Sequence, residues 1–174
     1  MIRKIALTIL TIFAIWASGF VYYLYLVNSY KPSSNTANAI IVFAGGGHKI
    51  ETGIALLKAG YAPILFITGI ETSDQLKNLL KENNVLEQQV ILAPNKIMSE
   101  DDYIKKASDF ILKYNITSVR LVAYNYDIPS IVNNLTTAIS SSNNNIYIAP
   151  YPVIAKQQNY MTLIKHYNNY LLSL

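Results

Sequence analysis

No cysteine occurs anywhere in the 174 residues. Disulfides, thiol nucleophiles and cysteine metal ligands are thereby excluded, and the redox state of the compartment is left open. Charge is scarce as well, at 14% of residues. Taking Arg3 and Lys4 away from the 14 basic residues leaves 12 against 10 acidic ones, a net of +2. No run of Lys or Arg builds a nucleic-acid surface, so nucleic acid is not an expected partner. Histidine is nearly absent too. With His48 the only one near the expected rim, and no cysteine, a zinc site has too few ligands. No GxGxxG fingerprint, Walker A loop or GxSxG elbow is present, and a Ser-His-Asp hydrolase has no support. Internal repeats and low-complexity tracts are missing.

What is present begins with an uncharged stretch. Ile5–Val27 runs for 23 residues without a charge behind Arg3 and Lys4. As a helix it is about 34 Å long, enough for a hydrocarbon core of about 30 Å. Trp16, Tyr22, Tyr23 and Tyr25 add interface-type aromatics. A cleaved signal peptide would end at small residues, and Ala14, Ala17, Ser18 and Gly19 offer some. Phe20–Val27 continues the apolar run past them, which favours an uncleaved anchor over residues 1–28. The two flanking cations place the N-terminus in the cytoplasm and the rest outside a bacterial inner membrane, in the periplasm.

After a polar tether at 29–37, residues 38–174 have the size of one domain and enough length for a core without staples. Apolar runs alternate with helical periodicity. Strands are expected at 39–44, 64–68, 90–92, 119–123 and 146–149. Helices are expected near 48–59, 73–82, 100–114, 128–139 and 157–172. This order predicts βαβ units in a Rossmann-like three-layer αβα sandwich, with a mostly parallel sheet and β1 at its centre.

Ligands of such sheets bind beyond the carboxyl ends of the strands. That rule selects the loops at 45–48, 68–73, 93–102 and 124–129. Gly45, Gly46 and Gly47 end the first strand, where they permit a sharp turn and a close backbone approach to a ligand. The candidate ligand-binding residues are these glycines with Thr68, Gly69, Glu100 and Asn125. The candidate catalytic residues are His48, Asp102 and Asp127. Each acid also has a structural reading. Ser99 and Asp102 have capping-box spacing, and Asp127 precedes Ile128-Pro129 as an N-cap would. His48 reads equally as a solvated helix-start residue, and His166 as a surface residue of the last helix.

Asn38-Ala-Ile-Ile-Val-Phe-Ala-Gly-Gly-Gly-His-Lys-Ile50, with Ala55–Pro63 and Leu65-Phe-Ile-Thr-Gly69, resembles the YdcF/SanA/ElyC-like bacterial family. The likeness extends more weakly through Val122–Pro129. It implies a Rossmann-like domain, often exported behind an N-terminal anchor, and links to envelope and peptidoglycan biogenesis. By position, Gly45–Gly47 match the family's glycine loop and Thr68-Gly69 its turn after the second strand. Asp102 stands where the family's Asn-Thr-x-Glu signature has its glutamate. The His-x-Pro-Arg motif is changed, with Asp127 in place of the histidine and Ser130 in place of the arginine. Asn38 replaces the frequent first-strand acid.

Two readings follow from that resemblance. In one, the chain is an envelope enzyme acting on a lipid-linked or nucleotide-like precursor, with His48 or Asp102 handling a proton. In the other, it is a catalytically degenerate module that binds other envelope proteins. The sequence specifies no cofactor.

Overall fold

The computed structural model describes the whole chain apart from residues 44–46, 70–73, 94–98, 141–144 and 156–158 and the side chains of Gly47, Asp74, Gln75 and Glu100. Its elements are α1 (Ile2–Ser29), β1 (Ala39–Phe43), α2 (Gly47–Lys58), β2 (Leu65–Thr68) and α3 (Asp74–Glu82). They continue with β3 (Val90–Leu92), α4 (Glu100–Lys113), β4 (Ser118–Tyr124), α5 (Ile128–Ser140), β5 (Tyr147–Val153) and α6 (Tyr160–Leu172). The sheet has five strands in the order β3-β2-β1-β4-β5, and every pairing is parallel. β1 is central and buried at all five positions, as a strand covered on both faces must be.

Side-chain alternation divides the core in two. Ala39, Ile41 and Phe43 face the inner residues of α4 and α5, including Ile104, Phe110, Ile131 and Leu135. Ile40 and Val42 face the other way, onto Ile54 and Leu57 of α2 and Leu76 and Leu80 of α3. The amphipathic periods read in the sequence are the ones that close these layers. At the ends of α3 and α4, Asn84 and Asn115 take positive φ, and the next amides reach back to Leu80 and Ile111. These are Schellman stops with asparagine where glycine is commoner.

β5 runs on to Val153, past the expected end at 149, despite Pro150 and Pro152. Its position explains this. The amide of Tyr147 donates to the Thr117 carbonyl, and the Val153 carbonyl accepts from Asn125, so the odd-numbered residues face β4. Pro150 and Pro152 therefore lack their N–H only on the open side of an edge strand, where no ladder bond is lost.

Segment 31–36 is held firmly. The Arg120 guanidinium, on β4, donates to the carbonyls of Ser33, at 2.7 Å, and Asn35. Asn38 starts β1 at the edge opposite the strand ends. Its side-chain oxygen accepts from the amides and hydroxyls of Thr117 and Ser118 at 2.8–3.2 Å.

α1 is a continuous helix whose two halves differ. Residues 2–15 are exposed throughout, whereas Tyr23 and Val27 are buried against the domain. Trp16, Phe20 and Tyr23 pack around Tyr167 of α6 at ring-centroid distances of 5.4, 5.3 and 5.6 Å. The Tyr167 hydroxyl donates to the Trp16 carbonyl at 2.9 Å, and the Trp16 indole donates to Asn168. Thr8, Thr11 and Ser18 each bond the carbonyl four residues back, which leaves their hydroxyls satisfied without water. The helix as a whole is long and apolar enough to cross a membrane.

Candidate functional site

β1 and β4 are neighbours whose following helices depart to opposite faces of the sheet: α2 onto the Ile40 and Val42 side, α5 onto the Ile41 and Phe43 side. Their carboxyl ends therefore form the topological switch point, the usual ligand crevice of a doubly wound sheet. Gly45 and Gly46 lie outside the described residues. Gly47 is the first residue of α2.

Lys49 sits in the first turn of α2 and is only 4% exposed. Its ammonium lies 4.3 Å from the ring centre of Tyr124, the last residue of β4. Burial lowers its pKa below the usual lysine range, and the nearby negative charge of Asp127 acts in the opposite sense. Position 49 shares a helix face with Gly53 and Leu56, at i+4 and i+7. That spacing was the available signal that this lysine turns inward.

The turn after β4 brings the second half of the crevice. The Asp127 amide bonds the Tyr124 carbonyl at 2.9 Å, and the Asp127 carbonyl accepts from Ile131, so Asp127 takes the N-cap position by its backbone. Its carboxylate meets Nδ1 of His166 at 2.7 Å, with both side chains 23% exposed. The expectation of a surface His166 is thus corrected: α6 folds over the end of β4 and delivers this imidazole to Asp127. Nothing local in the sequence joins positions 127 and 166. The Tyr126 ring lies tilted against the His166 ring, 4.4 Å away between centroids. Asn125 extends the β4–β5 ladder, and its side-chain oxygen is buried with no donor among the described residues.

The Tyr126 hydroxyl is pushed up to about 12, first by burial and then by the charge of Asp127. A raised acid pKa gives stability that is complete below the unfolded value of about 10 and is lost as pH rises toward 12. Tyr126→Phe is therefore expected to lessen the loss of stability between pH 10 and 12. Urea midpoints across that range measure it; parallel curves for the variant and the parent would contradict it.

The other candidates sit apart from this cluster. His48, next to Lys49, points outward and pairs with Glu51 at 3.2 Å. Asp102 closes a capping box: the Ser99 hydroxyl receives the Asp102 amide, and the Asp102 carboxylate accepts from the Ser99 amide at 3.0 Å. These bonds from Ser99 hold its pKa below the ordinary carboxylate range. Thr68 is fully buried, and its hydroxyl donates to the Val42 carbonyl at 3.4 Å. Gly69 has φ of +73° and backs onto the Tyr103 ring, where a side chain would be strained and crowded. Glu100 opens α4. Among the described residues no group of three His, Asp or Glu side chains is arranged to hold a metal.

α1 reaches this site directly. The Tyr23 hydroxyl donates to the Tyr126 carbonyl at 2.7 Å, one residue from Asp127. Tyr167, which donates to Trp16, is the neighbour of His166. Both members of the carboxylate–imidazole pair are thus braced by the apolar helix.

These features define a Rossmann-like αβα protein with a cluster of polar side chains at its switch point and an N-terminal helix able to span a bilayer. No family model matches the chain. It is 68% identical over all 174 residues to the uncharacterized protein RC1356 of Rickettsia conorii (strain ATCC VR-613 / Malish 7), of which it covers 99%. To the uncharacterized protein RP875 of Rickettsia prowazekii (strain Madrid E) it is 64% identical, again over 174 residues and 99% of that protein. The chain belongs to the bacterial protein family that these two represent.

Proposed function

We propose that this is a membrane-anchored, YdcF-like envelope protein, oriented with Arg3 and Lys4 in the cytoplasm, whose crevice takes an anionic small-molecule or lipid-linked ligand of envelope biogenesis. The observation that carries the reading is the Asp127–His166 pair at 2.7 Å beside the buried Lys49, at the switch point of the sheet. Asp127 alone would repel an anion. Lys49 sets a basic side chain beside the Asp127–His166 pair, and a basic group there suits a phosphate-type ligand. With Nδ1 directed at Asp127, Nε2 of His166 is the atom free to exchange a proton with the ligand. In this reading His166 and Lys49 supply, from α6 and α2, the imidazole and cation that the family's His-x-Pro-Arg motif would place on α5.

The second reading, a binding module without turnover, is favoured by one observation. His48 and Asp102, the sequence's candidates for proton handling, are each engaged at a helix start.

Thermal unfolding of the full chain in detergent micelles, with undecaprenyl phosphate, nucleotides or S-adenosylmethionine added, tests the proposal. A saturating ligand at about a hundred times Kd stabilises by about 2.7 kcal/mol. Lys49→Met is expected to weaken that binding by about 2–5 kcal/mol, because it removes the desolvated charge partner. Asp127→Asn is expected to leave the fold intact and abolish any proton transfer. A ligand shift that both variants retain in full would place the site elsewhere.

A further inference from the structure

We propose that the crevice end of the domain is itself a membrane-contact surface, seated in the headgroup layer through Ile154, Tyr160 and Met161, so that the site opens onto the bilayer. The inference rests on the reading that α1 enters a membrane, and it goes further by fixing which face of the domain meets the lipid.

The first observation is a length mismatch. The free half of α1, residues 2–15, is about 21 Å long, short of a hydrocarbon core of about 30 Å. From Trp16 onward the helix is engaged with α6 and the β4–α5 turn. While this docking holds, the remaining depth is reached only if the docked half, with the domain attached to it, lies at the membrane surface. The outward residues of that half suit such a setting, since Val21, Tyr22 and Tyr25 are all exposed.

The second observation concerns direction. The free half leaves the domain where Trp16 meets Tyr167 and Asn168, beside His166 and hence at the carboxyl end of the sheet. Beyond Ser29 the chain runs the other way, past Arg120 to Asn38 at the opposite edge. The strand ends therefore look toward the membrane.

Third, this same end carries exposed apolar side chains that the fold does not use. β5 finishes at Val153 in register with Tyr124, which puts Ile154, 77% exposed, at the crevice edge. The connection from there opens α6 with Tyr160 and Met161, 81% and 75% exposed. An aromatic and a methionine next to an apolar anchor match an interfacial contact, where a ring and a flexible chain settle among headgroups. Continuity with α1 makes a lipid surface the occupant. A ligand borne by a lipid would then meet Lys49 and His166 without leaving the bilayer.

The absence of cysteine makes the test direct. Single cysteines at Ile154, Met161, Phe13 and Leu86 (Ile154→Cys, Met161→Cys, Phe13→Cys and Leu86→Cys) are labelled with an environment-sensitive fluorophore. The full chain is then placed in vesicles of phosphatidylcholine and phosphatidylglycerol carrying doxyl groups near the headgroup or at mid-chain. Labels at 154 and 161 are expected to shift to the blue and lose most of their emission to the headgroup quencher. The label at 13 should respond most to the mid-chain quencher. Leu86 precedes β3 at the opposite edge, and its label should stay aqueous. Aqueous emission at 154 and 161 with a deep label at 13 would overturn the seating while leaving the anchor in place. Aqueous emission at 13 as well would overturn the anchor and the seating together. Labels at 154 and 161 that are shielded yet insensitive to either quencher would mean that a second copy covers the face, which also overturns the proposal.

Discussion

Tyr167→Ala is expected to destabilise the full chain by about 3–5 kcal/mol, the usual cost of emptying a large aromatic site. Its ring is almost wholly buried and fills the space between Trp16, Phe20 and Tyr23. Truncation removes the surface on which α1 lies and the side-chain hydrogen bond to the Trp16 carbonyl. The effect extends to the crevice, because His166 precedes Tyr167 and the Tyr126 carbonyl is held by Tyr23 on the same helix. Ligand-induced stabilisation should therefore fall together with the urea midpoint. Tyr167→Phe keeps the rings and loses one hydrogen bond, with an expected cost of about 1 kcal/mol. Gly19→Val reaches the undocked state from the opposite side, since a side chain at Gly19 collides with the Tyr167 hydroxyl. Urea unfolding in micelles, with protease accessibility of the α1–β1 connection, reads all three. An unchanged midpoint for both Tyr167→Ala and Gly19→Val would show that α1 is not part of the folded unit.

Arg120 should produce the second large effect. It is fully buried, and its Nε has no acceptor among the described residues. Neutral groups hold the charge: the carbonyls of Ser33 and Asn35, and the ring of Tyr61 at 4.4 Å from the guanidinium carbon. Arg120→Lys is expected to cost about 2–4 kcal/mol, because an ammonium cannot stack flat on Tyr61 while reaching both carbonyls. Arg120→Met separates the two contributions. It discards a desolvated charge, which is favourable, and releases the 31–36 segment, which is not, so its cost should be smaller. Hydrogen exchange at Ala37 and Asn38, whose amides bond Tyr61 and Ser118, should quicken in every Arg120 variant. Unchanged exchange there would show that the grip on segment 31–36 is dispensable.

Much of this fold was legible because its signals are local. Continuous apolar runs marked β1 and β2, the inward leucines and isoleucines marked α2 to α5, and the Ser99–Asp102 spacing marked the start of α4. Where the reading stopped short, the deciding contacts join distant residues. The expected β5 stops at 149 and the observed strand runs on through Pro150 and Pro152, because a lone sequence does not tell an edge strand from a central one. Asn84 and Asn115 gave no clear stop signal, since asparagine serves many turn roles besides the left-handed one. The site was legible only in outline. The loop at 124–127 and the start of α2 were selected, yet His48 drew notice where its neighbour Lys49 is the residue turned inward. The pairing of Asp127 with His166 depends on where α6 crosses, and that crossing is set by aromatic packing against α1. A hydropathy reading assigns Trp16, Phe20 and Tyr23 to lipid as readily as to protein, so it gives no hint of that contact.

The two prolines of β5 have a further consequence for how one copy of the chain meets another. An open strand edge invites pairing with a neighbouring copy, and parallel sheets are exposed to that hazard while they assemble. On β5 the outward positions 150 and 152 offer no N–H, so no continuous ladder can grow there. The other margin, β3, is only three residues long. Both borders are therefore poor templates for further strands, which works against aggregation of the chain with its own copies.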